Sequence, residues 1–130
     1  MALFGVYSIK AAQAPVKIPA TVTEEVSESL DDKITRYARK YGISEARFRA
    51  LVLCENRSLD PTKQSDLYYQ FSDPRRGIII GERERSYGLL QIHLPDHPDV
   101  SYSQAIDPDY SLNWGAQRIS VGWTKWSCWK

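Results

Sequence analysis

Two stretches repeat apolar residues at the spacing of a helix face. Ile34, Tyr37, Ala38 and Tyr41 stand at i, i+3, i+4 and i+7, which predicts a helix over 31–41. Asp31 and Asp32 suit its positive end and Gly42 stops it. Ser44 then caps a second helix with Glu45 in its first turn, and its stripe runs Phe48, Leu51, Val52, Glu55. Asp60-Pro61 breaks the helical pattern. Residues 67–71 and 77–80 predict short strands, and the turn residues between them make a hairpin. The balanced charges of 82–85 predict a solvated loop. Leu89, Leu90 and Ile92 begin a short buried segment that Pro95 and Pro98 close. Ser101 or Ser103 opens a brief helix over 104–105, and Asp107-Pro108 opens a last helix carrying Tyr110, Leu112, Trp114, Ala116 and Ile119. The pattern predicts one α+β domain over 30–130, predominantly helical, with a small β-hairpin.

Composition adds boundaries. The 130 residues are long enough to bury a core, and 42% apolar with 25% charged is ordinary for a globular protein. A net charge of +1 demands neither nucleic acid nor an acidic membrane surface as partner. Aromatic residues reach 12%, and Trp123, Trp126 and Trp129 crowd the end of the chain. Such density suits stacking on flat ligands, sugars included, and equally suits a well-filled core. Cys54 and Cys128 allow one disulfide or none, depending on compartment. Residues 2–9 form a short apolar run, followed by Lys10 and then Ala12-Gln13-Ala14, an A-x-A pattern suited to cleavage. No basic residue precedes the run, so 1–14 reads as a truncated signal peptide. Residues 15–29, with Pro15 and Pro19, read as a linker. The apolar run is too short to span a bilayer, and stable membrane insertion is not expected.

The candidate chemistry begins at Glu55. Its carboxylate continues the apolar stripe of its helix, so it is either desolvated, with a raised pKa, or paired with Arg47 or Arg57 nearby in sequence. The second feature is Ser86-Tyr87-Gly88-Leu89-Leu90-Gln91-Ile92, where polar and aromatic groups surround a glycine and a run of aliphatics, as expected of a cleft lining anchored in a core. His93 and His97 flank Pro95, which spoils a helical metal pair, so no metal is expected. Asp107-Pro108-Asp109 lacks the remaining ligands of a calcium loop, and no phosphate-cradling or Gly-x-Ser-x-Gly motif is present. No cofactor is expected.

Glu55 at a helix end, Leu59-Asp60-Pro61, Ser65, and then Gly88-Leu-Leu-Gln-Ile92 together resemble the lysozyme-like lytic transglycosylases. Asp107-Pro108 with Asn113 and Gly115 is similar to that family's following helix. Tyr87 to His93 and the Trp123-x-x-Trp126 tail with Cys128 are similar to animal-type lysozymes. The resemblance covers roughly residues 30–130, through several short motifs in order. It has departures. Asn56 stands where the family has Ser after the glutamate, the Ala-Tyr-Asn-Ala-Gly motif is missing, and Ser86 occupies the place of the animal lysozymes' second acid.

The resemblance implies a lysozyme-like fold, secretion, periplasmic or virion location, and a monomer that cleaves the MurNAc-GlcNAc β-1,4 bond of peptidoglycan with Glu55 as general acid and base. It implies a Cys54–Cys128 bridge tying the tail to the catalytic helix, worth roughly 2–4 kcal/mol. Ser86, Tyr87, Gln91, Asn113, Trp123 and Trp126 are the expected substrate-binding residues. Ser86 cannot act as a carboxylate nucleophile. Glu82 or Glu84 would have to activate water for hydrolysis; with both solvated, the sugar's own 6-hydroxyl attacks and a 1,6-anhydro product forms. The second course, lytic transglycosylation, is the expectation. The alternative of another class is a non-catalytic peptidoglycan- or chitin-binding module on the same scaffold.

Overall fold

The structure, a computed structural model, describes residues 27–129. The leader expected over 1–14 and most of the linker expected over 15–29 lie outside the described residues.

Helix α1 (Leu30–Lys40) starts where the Ser29 hydroxyl accepts the Asp32 N–H and carries Asp31 and Asp32 in its first turn. It buries Ile34, Tyr37 and Ala38, the stripe read from the sequence. Gly42, at φ +66°, turns the chain out of it. Helix α2 (Glu45–Glu55) is capped by Ser44, whose hydroxyl accepts the Arg47 N–H, and it buries Phe48, Leu51 and Val52 against α1.

Residues 57–85 form an irregular lobe, and here the expected hairpin is corrected. Residues 67–71 and 77–80 do not form strands. They meet other parts of the lobe at isolated bridges, Tyr68 with Arg83 and Asp73 with Ile78, around a 3-10 turn at Pro74–Arg76 that Gly77 ends at φ +67°. Only Tyr69 and Ile78 are buried, while Leu67, Tyr68, Phe71, Ile79 and Ile80 are exposed. With one buried side chain per limb there is no apolar face to set a register, and the ladder does not propagate.

The true hairpin lies in the heptad. Strand β1 (Ser86–Tyr87) pairs antiparallel with β2 (Ile92–His93), Ser86 opposite His93 and Tyr87 opposite Ile92. The connection needs Gly88, at φ +84°, because a Cβ there would lie 2.0 Å from the Ala105 carbonyl oxygen. It also places Gln91 at φ +50°. Leu89, Leu90 and Ile92 are fully buried, as their run of aliphatics predicts.

Short helix α3 (Tyr102–Ala105) opens with a capping box between Ser101 and Gln104. Helix α4 (Pro108–Ser120) starts at Asp107, whose side chain accepts the Asp109 N–H, and buries Leu112, Trp114, Ala116 and Ile119. Asp109 ties α4 to α1 by accepting from Lys33 Nζ, Arg36 Nη2 and Tyr37 Oη, which holds its carboxyl below the usual carboxylate range. α1, α2, α4 and the 89–92 segment enclose one core, closed at the C-terminus by Trp126. Among the described residues the domain is α+β, mostly helical, with a single small antiparallel hairpin. Among the described residues no helix is long and apolar enough to cross a membrane.

Candidate functional site

Glu55 is the last residue of α2, one step beyond the buried stripe of Phe48, Leu51 and Val52. The stripe brings its carboxyl to the core boundary, and the ending helix opens it to a cleft. It makes no ion pair among the described residues, which removes the structural pairing with arginine that the sequence left open. Burial pushes its pKa above the ordinary value, and the negative charge of Glu84 pushes it further the same way.

Cys54, beside it, is bonded to Cys128, with Cα atoms 6.0 Å apart and a sequence separation of 74. The C-terminal tail is thereby fastened to the end of α2. Asn56, on the other side of Glu55, is buried at 3% exposure. Its Nδ2 donates to the Asp60 carbonyl at 2.8 Å and to the Gly88 carbonyl at 3.1 Å, and its Oδ1 accepts from the Ser58 hydroxyl at 2.6 Å. One side chain thus ties the helix end, the Asp60-Pro61 turn and the heptad together. Sequence reading noted Asn56 only as a departure from the family pattern. The available signal was an amide placed between a helix end and an Asp-Pro turn, where loose backbone groups need partners.

The cleft holds about 710 Å³ and is lined by Glu55, Asn56, Lys63, Glu84, Ser86 and Gln91, among others. That size is ordinary for a ligand site. Glu84 therefore shares the cleft with Glu55, against the expectation that both nearby acids are solvated loop charges; Glu82 lines neither this cleft nor the next one. The cause is local. The Glu84 N–H donates to the Leu67 carbonyl at 2.8 Å, and the Ser86 hydroxyl, in a side chain only 4% exposed, donates to Glu84 Oε1 at 2.9 Å. Ser86 thus meets a carboxylate in the cleft without supplying one. Gln91 Nε2 donates to the carbonyls of Lys63 (3.1 Å) and Gly88 (2.9 Å), so that amide nitrogen holds backbone in place.

A second cleft of about 380 Å³ adjoins the first through Gln91. Trp114, Trp123, Trp126 and His97 form its aromatic wall, packed edge to face, with Trp123 and Trp126 at 4.5 Å between centroids. Trp126 is mostly core, its Nε1 donating to the Leu90 carbonyl at 3.2 Å, whereas Trp123 is partly open. Burial and then Arg118 push the His97 pKa down, which keeps the ring neutral among the indoles.

Two expected binding residues lie elsewhere. Tyr87 packs edge-on against Tyr102 at 5.0 Å and lines neither cleft. Asn113 sits between α1 and α4, its Oδ1 accepting from Tyr41 Oη at 2.7 Å and Lys40 Nζ at 3.0 Å. The turn that carries Asn113 faces α1 because Leu112 and Trp114, on either side, are in the core. Among the described residues no three His, Cys, Asp or Glu side chains converge as a metal site. Both ring nitrogens of His93 are engaged, by Tyr69 and Asp96.

In chemical terms the main cleft offers one half-buried carboxyl with a raised pKa and a second carboxyl held by a hydroxyl, beside an aromatic groove. Comparison with protein-family models, with curated proteins and with solved structures finds no match to this chain.

Proposed function

We propose that this protein cleaves the MurNAc-GlcNAc β-1,4 bond of peptidoglycan, with Glu55 as general acid. The observation that carries the reading is Glu55 itself: an acid without an ion-pair partner among the described residues, half-buried at the edge of an open cleft, its pKa raised by burial and by a neighbouring negative charge. Such a group donates a proton to a leaving oxygen near neutral pH. Glu84 supplies the second requirement of glycoside cleavage, a carboxylate to offset the oxocarbenium-like centre or to activate water. Its place in the cleft favours hydrolysis over the anhydro-forming course expected from the sequence. The aromatic groove of Trp123 and Trp126, continuous through Gln91, suits sugar rings extending from the cleaved bond. A protein of this activity works outside the cytoplasm or on a phage particle, and the Cys54–Cys128 bridge fits that setting.

Lytic transglycosylation is the second reading, because it asks for no carboxylate other than Glu55, and Ser86 already occupies one oxygen of Glu84. The test is clearing of a suspension of purified sacculi by wild type and by Glu55→Gln. Clearing that falls by about 10²-fold or more in the variant, the scale of a lost general acid, supports catalysis. Sedimentation of both proteins with sacculi and no clearing by either identifies the non-catalytic binding module instead.

A further inference from the structure

Glu84 is held by more than Ser86. Its own N–H is bonded to Leu67, and its carbonyl accepts from the Gln64 side-chain amide at 3.1 Å. The next N–H along the chain, that of Arg85, donates to the phenol oxygen of Tyr69 at 3.0 Å. That phenol lies 2.8 Å from His93 Nε2, and His93 Nδ1 lies 2.8 Å from Asp96 Oδ2. Every group is satisfied in one arrangement. The phenol oxygen accepts from Arg85, the phenol hydrogen goes to His93 Nε2, and the remaining imidazole hydrogen sits on Nδ1 and goes to Asp96. Asp96 is also paired with Arg76, which pairs in turn with Asp73.

Tyr69 is 4% exposed and lines neither cleft. Its ring is wedged edge-on between Phe71 at 6.2 Å and His93 at 5.8 Å, so its hydroxyl has little freedom. A backbone N–H in an irregular lobe is ordinarily satisfied by a carbonyl or by water. Here the peptide that follows Glu84 is instead pinned by a buried side chain, and that side chain is oriented by an Asp–His pair from the far side of the hairpin.

We propose that Tyr69, oriented by His93 and Asp96, is a positioning residue for Glu84: it fixes the Glu84–Arg85 peptide so that the carboxylate stays in the cleft with Glu55. The inference rests on the reading of Glu84 as the second carboxylate. It also gives a role to His93, which stood out in the sequence only as half of a metal pair to be set aside, and to Asp96 beside it.

The test reads Glu55 as a reporter of where Glu84 sits. Carboxyl carbon NMR titrations follow Glu55 in wild type, Tyr69→Phe, Glu84→Gln and the double variant. Glu84→Gln lowers the Glu55 midpoint, because one of its two causes is gone. Tyr69→Phe lowers it part of the way, and adding Tyr69→Phe to Glu84→Gln changes nothing more. On glycan substrate Tyr69→Phe lowers kcat about tenfold with KM within about twofold. The proposal is overturned if Tyr69→Phe leaves the Glu55 midpoint at its wild-type value, or moves it equally with and without Glu84. If Tyr69→Phe does not fold, His93→Phe takes its place with the same expected midpoints. Failure of the glycosidase reading is separate: it appears as wild type without product, whatever the midpoints do.

Discussion

Glu55 has a raised pKa because of where α2 ends. Three buried side chains precede it on one helical face, and a cleft begins where the helix stops. In the proposed reaction it donates a proton and must be protonated, so the rate is expected to fall as pH rises through its raised pKa. Burial and the Glu84 charge both raise that value. Glu84→Gln therefore moves this alkaline limb of kcat/KM to lower pH and reduces the maximum; an unmoved limb would show that the two carboxyls do not interact. The same shift bears on stability. The unfolded glutamate titrates near 4.5 and the folded one higher, so the folded state binds the extra proton between them. Stability is thus lost as pH rises through that window. Glu55→Gln, which has no charge to bury, melts higher than wild type at pH 7, with the difference vanishing below pH 4. A variant that melts lower at pH 7 would mean that the ionised carboxylate has a stabilising partner. The residue-level reading of Glu55 was legible because its spacing alone put an acid on an apolar face. Glu84 was not legible, since it lies in a run of alternating charges whose ordinary fate is solvent; the bonds of its N–H to the Leu67 carbonyl and of the Ser86 hydroxyl to its carboxylate help turn it inward.

Helices α1, α2 and α4 follow their apolar periodicity and their caps to within a residue or two, because each buries one continuous stripe. The lobe was misread for the opposite reason. Tyr68, Phe71, Ile79 and Ile80 have strand-like side chains but stay exposed, and side-chain bonds such as Ile80 N–H to Ser72 Oγ and Arg83 Nε to the Ser65 carbonyl take the place of a ladder. Asn113 was misplaced because motif order along the chain does not say which face of α4 an amide occupies. The tail depends on a covalent tie: among the described residues it has no regular structure after α4, and Cys128 fastens it to Cys54, the neighbour of Glu55. Cys54→Ser and Cys128→Ser are each expected to cost roughly 2–4 kcal/mol in denaturant unfolding, with the double variant no worse than either single one. Clearly additive losses would mean that the two sulfurs act separately.

At the scale of the molecule, the helical core and the irregular lobe meet along the line where the two carboxyls face one cleft. Glu55 comes from the regular part, whose placement the apolar pattern dictates. Glu84 and Tyr69 come from the lobe, and Ser86, His93 and Asp96 from the hairpin and the turn after it; polar side-chain bonds that no periodicity announces bring them together. The α+β class could be read from the chain, but the hairpin at 86–93 and the pairing of acids required coordinates. Mass spectrometry of the soluble products from purified peptidoglycan, with wild type and Glu55→Gln side by side, tests the central claim most directly. The account predicts muropeptides with reducing ends from wild type and none from the variant. Products lighter by one water would keep Glu55 as the acid and remove Glu84 from the reaction. No soluble product from folded wild type, or equal product from Glu55→Gln, would contradict the account.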